Sequence, residues 1–78
     1  MLAEAEQIGL EAVTIARKSD YINEQADVLM SLSEVLQVAG KSEEAVSVTE
    51  EALSLYERKG NIVSARRARE RLVKLAAA

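Results

Sequence analysis

The chain has 78 residues, 49% of them apolar, with 10 basic and 13 acidic side chains and a net charge of −3. That length allows one small domain and excludes a second, and with neither Cys nor His the chain lacks a disulfide staple and the usual ligands for zinc, copper or iron. Two aromatics, no Pro and abundant Ala, Leu, Glu and Arg predict an all-α fold. No apolar run is long enough to cross a bilayer, and the N-terminus lacks the basic flank of a signal peptide, so no membrane association and a cytoplasmic setting are expected.

The first helix is expected at 3–17, where Ala5, Ile8, Ala12, Val13, Ile15 and Ala16 fall at helical spacing. Lys18-Ser19-Asp20 then supplies a cation at a helix end and two candidate N-caps for a second helix at 21–39. That helix carries an inward stripe of Ile22, Ala26, Leu29, Leu32, Val35 or Leu36, and Ala39. Gly40 directly after the stripe is the expected left-handed residue, and Ser42 with Glu43 and Glu44 reads as an N-cap followed by acids in the first turn. The third helix, 43–58, turns Ala45, Val48, Ala52, Leu55 and Tyr56 inward and stops at Arg58-Lys59-Gly60. Asn61 caps a fourth at 62–76, whose Ile62, Ala65, Ala68, Leu72 and Leu75 make a narrower apolar face, as befits an end helix.

A shift of 40 residues lays 4–16 over 44–56: Glu4/Glu44, Ala5/Ala45, Glu11/Glu51 and Ala12/Ala52 coincide, and Ile8/Val48, Val13/Leu53 and Ile15/Leu55 stay apolar. The first and third helices are therefore equivalent elements. Two alanines seven apart on each allow a neighbouring backbone to approach at successive turns, as stacked helical hairpins require.

With Leu29, Leu32 and Leu36 at the large positions of a first helix, Ser33 at the small one, Gly40 at the turn, and Ala45 and Ala52 at the small positions of a second helix, residues 26–59 resemble one tetratricopeptide (TPR) repeat. Residues 1–18 then resemble the second half of a preceding repeat, and 60–78 an end helix. The resemblance implies antiparallel hairpins stacked as an array of about four helices, and a non-catalytic role in protein–protein interaction. Thr49 stands where an aromatic or large apolar residue is usual, Glu57 replaces the closing proline, and the spacing is 40 residues instead of 34. These departures bear on superhelical pitch and leave the hairpin intact. The phrases EVLQVAGKSEEA and EALSLYERKGN also resemble degenerate TPR tails of bacterial signalling and regulatory proteins.

An array that begins on a second helix leaves an apolar flank open on the first and second helices, and a two-fold homodimer through that flank is expected, the alternative being a monomeric four-helix array with a small exposed patch. A second candidate surface sets the groove-facing Asp27, Met30, Ser31 and Glu34 of helix two beside Arg67, Arg71 and Lys74 of helix four, for a protein or an acidic peptide. The family's carboxylate clamp needs Lys and Asn at such helix-two positions and does not carry over.

Catalysis is not expected. The pairs Glu43/Glu44 and Glu50/Glu51 point about 100° apart on a helix, no His is present to activate a serine, and glycines at 9, 40 and 60 form no phosphate-cradling loop. No cofactor is implied. Residues 1–57 hold 12 acids against 3 bases and residues 58–78 hold 1 acid against 7 bases, so the alternative function is a nucleic-acid-contacting accessory domain through Arg66, Arg67, Arg69, Arg71 and Lys74. An isoelectric point near 4.9 and the absence of aromatics in that helix weigh against it.

Overall fold

Helix formers run unbroken between three short gaps, and the computed structural model, which describes residues 2–18 and 21–77, turns each run into a helix. The order is α1 (Leu2–Ala16), α2 (Ile22–Val38), α3 (Ser42–Lys59) and α4 (Ile62–Ala77), each packed on its neighbour in sequence. Among the described residues there is no strand. The all-α array expected from composition is the observed fold.

Gly40 and Gly60 end their helices in one and the same way, at φ 80° and 76°. The glycine N–H donates three residues back, to Gln37 O (3.0 Å) and Glu57 O (3.1 Å), and the following N–H donates five back, to Leu36 O (2.8 Å) and Tyr56 O (2.9 Å). This pair of bonds satisfies carbonyls that a helix end otherwise leaves orphaned. Because the residue after Gly40 already belongs to that motif, Lys41 and not Ser42 occupies the N-cap position of α3, without a side-chain cap, and Ser42 is the first helical residue. The Lys41 side chain is used elsewhere: its Nζ meets Glu6 Oε1 at 2.5 Å, and this hydrogen bond holds the ammonium above its usual pKa. The N-cap of α2 is Tyr21, also without a side-chain cap; Ser19 and Asp20 lie outside the described residues. Asn61 does cap α4, its Oδ1 accepting from Ser64 N–H at 3.1 Å.

The core is centred on the α2–α3 hairpin. Leu29, Leu32 and Leu36 meet Ala45, Ala52 and Tyr56, with Val13 from α1 and Ala65, Ala68 and Leu75 from α4 closing the two sides. Ser33 and Thr49 are fully buried in the middle of it. An arginine only donates and a carbonyl only accepts, so the two ends of their hydrogen-bond chain are fixed. Arg71 Nε–H donates to Ser33 Oγ (2.7 Å), the Ser33 and Thr49 hydroxyls share a hydrogen bond (2.6 Å), and Ala45 O stands ready to accept from either, at 2.7 Å from Thr49 Oγ1 and 3.3 Å from Ser33 Oγ. The unexpected threonine thus closes a polar chain across three helices, and no buried side-chain nitrogen or oxygen among the described residues lacks a partner.

Three residues expected inside are outside. Ile8 and Ile15 of α1 are 65% and 70% exposed and Ile62 of α4 is 72% exposed. The reason is positional: among the described residues α1 packs along α2 and α4 along α3, so an apolar stripe wider than one neighbour is left partly uncovered. Arg17 ties α1 back to α3 through both carboxylate oxygens of Glu51, at 2.9 and 3.0 Å.

Candidate functional site

Two concave surfaces emerge from this packing. The first is a polar groove of about 330 Å³ between α2 and α4, walled by Asp27, Met30, Ser31 and Glu34 on one side and Ser64 and Arg67 on the other, with Tyr56 and Asn61 at its base. The four α2 residues line it because steps of three and four put them on one helical face, turned away from the buried Leu29, Leu32 and Leu36. Tyr56 is buried as a ring and donates its hydroxyl to Asp27 Oδ1, which satisfies the polar end a buried tyrosine must satisfy. Burial first, then the hydrogen bond and the charge of Asp27, raise the Tyr56 pKa above its usual value, against a smaller opposing effect of the Arg67 cation. Asn61 braces the groove end, donating from Nδ2 to Asn23 Oδ1 at 3.3 Å.

Five of the seven expected partner-binding residues therefore come together: Asp27, Met30, Ser31, Glu34 and Arg67. Arg71 does not join them. Its guanidinium is turned onto α2, with Nε on Ser33 and Nη2 on Gln37 Oε1 at 3.0 Å, so it locks α4 to the hairpin. Lys74 is exposed one turn further along and lies outside the groove. Sequence reasoning missed Tyr56, Asn61 and Ser64 as groove residues. The spacing of three from Asn61 to Ser64 to Arg67 was the available signal, together with the need of a buried tyrosine for an acceptor.

The second surface is an apolar cleft of about 310 Å³ between α1 and α2, lined by Ala5, Ile8, Gly9 and Ala12 and by Val28, Ser31, Leu32 and Val35. Gly9 sets how closely the two helices approach: a Cβ there would lie 2.8 Å from Leu32 Cδ1. The cleft coincides with the flank that the repeat register leaves open.

The basic residues of α4 are divided in use. Arg69 pairs with Glu57 at 2.5 Å and Arg71 is engaged on α2, while Arg66, Arg67 and Lys74 are exposed. No described helix is long and apolar enough to cross a membrane. Comparison of the chain with protein-family models, with curated proteins and with solved structures gives no match.

Proposed function

We propose that the chain is a non-catalytic protein-interaction module, a helical-repeat scaffold of the tetratricopeptide kind, which offers the uncovered flank of α1 and α2 to another protein surface, most simply a second copy of itself. The observation that supports this reading is the α1–α2 cleft, whose lining is apolar apart from Ser31 and whose floor is formed where Gly9 lets α1 approach Leu32 closely. Contiguous apolar surface of this sort on a small chain favours association, and a chain this short gains core by it. A standard interface takes about 800 Å² from each partner, roughly a sixth of the 5148 Å² this chain exposes. The polar groove with Asp27, Glu34 and Arg67 supplies a second, charged surface on the same scaffold for a peptide.

The test is the absolute mass in solution by light scattering over a concentration series, at low and high salt. Self-association driven by apolar burial gives a mass above the 8.5 kDa monomer that persists in high salt. A monomer at every concentration would remove self-association and turn the search to a different protein for the same flank.

A further inference from the structure

The 40-residue register extends beyond sequence to burial, and it leaves two complementary vacancies. The buried face that α3 offers to α2 (Ala45, Thr49, Ala52, Tyr56) maps onto Ala5, Gly9, Ala12 and Ala16 of α1, all only half-buried. The buried set that α2 turns to α3 (Ala26, Leu29, Ser33, Leu36) maps onto Arg66, Arg69, Val73 and Ala76 of α4, all exposed. So, among the described residues, α1 shows the face of a second helix with no first helix packed on it, and α4 the face of a first helix with no second helix packed on it.

We propose that α4 of one copy seats in the α1–α2 cleft of the next, so that chains join head to tail and each junction assembles one hairpin from two molecules. This rests on the interaction-module reading and names its partner and geometry. Three features favour a second copy as occupant.

Volumes exchange across the register. Within the chain, Asp27 near the start of α2 meets Tyr56 near the end of α3, so at the junction the start of α4 meets the end of α1. There the large Arg66 stands for Ala26 and faces the small Ala16, which stands for Tyr56. In the middle, the polar Ser33–Thr49 pair is replaced by Val73, 69% exposed, against Gly9. The apolar side chain meets the apolar cleft.

Charges change sign as well. Within the chain Ser64 and Arg67 of α4 face the groove residues of α2. The same register across a junction sets Arg67 and Lys74 of one copy opposite Glu24 and Asp27 of the next, and the cleft margin on α1 carries Glu4 and Glu11. These contacts are individually weak and screened by salt, but their sign fits a basic α4 and no second α1–α2 flank, whose own margin is acidic. Finally, a two-fold contact of flank on flank would leave Val73 and Ile62 uncovered, whereas the head-to-tail contact covers both vacancies at once. Such a contact is heterologous and does not close at two; it continues as an open chain or closes as a ring.

The experiment uses two single variants of the full chain, Val73→Glu on the outer face of α4 and Ala12→Glu in the cleft, with Ala5→Glu as a second cleft variant and helicity by circular dichroism as the check on folding. The expected result is that the wild type grows past twice the monomer mass with concentration and grows less at high salt. Each variant alone stays monomeric with wild-type helicity, and an equimolar mixture of an α4 variant and a cleft variant forms a heterodimer that grows no further. If the wild type associates and Val73→Glu associates equally well, the head-to-tail arrangement is overturned while self-association stands. Failure of natively helical variants to pair on mixing overturns it in the same way. A wild type that is monomeric throughout removes both.

Discussion

At a spacing of 40 residues α3 presents Ala45, Thr49, Ala52 and Tyr56 where α1 presents Ala5, Gly9, Ala12 and Ala16, and only the first four are buried. The two helices have matching acids and matching alanines, and α1 is the more apolar of the two, yet α3 lies between α2 and α4 while α1 packs along α2 and reaches α3 at its end, through Arg17 and Glu51. Burial here follows the number of neighbours and not the apolarity of the side chain: Ile8 and Ile15 are exposed, and the hydroxyls of Ser33 and Thr49 are inside. The energetics should follow the same division, which makes α1 and α3 a matched pair for mutagenesis.

The largest contrast comes from truncation. Leu36→Ala empties a site packed on all sides and should cost about 2–5 kcal/mol, whereas Ile15→Ala on the open flank should stay within about 0.5 kcal/mol. Urea unfolding of both variants checks this, and equal losses would mean that α1 is covered in solution. Overpacking gives the next contrast. Ala52→Leu forces a larger side chain into a fully buried position against α2, at about 1–3 kcal/mol. Its equivalent Ala12→Leu projects into the cleft and should leave the unfolding midpoint of the dilute monomer nearly unchanged. A comparable loss for Ala12→Leu would show the α1–α2 contact to be as tight as the hairpin.

These contrasts also mark what could be read from sequence. All four helices, both glycine turns and the buried motif residues Leu29, Leu32, Ser33, Leu36, Ala45 and Ala52 were legible, because period, breakers and propensity agree there. The outward turn of Ile8, Ile15 and Ile62 was not, since a helical stripe states which residues could be buried and not whether a neighbour arrives to bury them. Ser42 was misplaced by one residue because the terminal motif of α2 consumes Lys41, an economy of chain that local capping preferences do not register. The groove was half legible. Face-sharing placed Asp27, Met30, Ser31 and Glu34, but whether Arg71 points at a ligand or at Ser33 depends on an α2–α4 distance that no local pattern carries.

A smaller effect separates Thr49 from its counterpart Gly9. Thr49→Val keeps the shape and deletes the hydroxyl that links Ser33 to Ala45 O. Ser33 can then turn to the same carbonyl, now at 3.3 Å, so the loss should be held to about 1 kcal/mol. Ser33→Ala strands the Arg71 Nε donor with or without Thr49, but each single change already deletes the Ser33–Thr49 bond, so a double-mutant cycle should show coupling between the two sites. Strict additivity would mean that the polar chain across α2, α3 and α4 contributes no more than its separate bonds.

The smallest effect at neutral pH is the most specific to α3, because α1 has Ala16 where Tyr56 stands and nothing to titrate there. Burial, and after it the bond to Asp27, raise the Tyr56 pKa above the 10.0 of a free tyrosine. The unfolded chain therefore releases that proton first, and the stabilisation associated with it is complete below pH 10 and is lost as pH rises beyond. Wild-type unfolding free energy should be level in this respect up to about pH 10 and fall above it. Tyr56→Phe should cost about 1 kcal/mol at pH 7 through the lost hydrogen bond and remove most of the additional alkaline decline. Asp27→Asn keeps an acceptor for the hydroxyl but takes away the charge, so its decline should lie between those two. If the wild type and Tyr56→Phe fall in parallel from pH 10 to 11, the hydroxyl is not held in the base of the groove as described, and the polar wall of α2 loses its anchor.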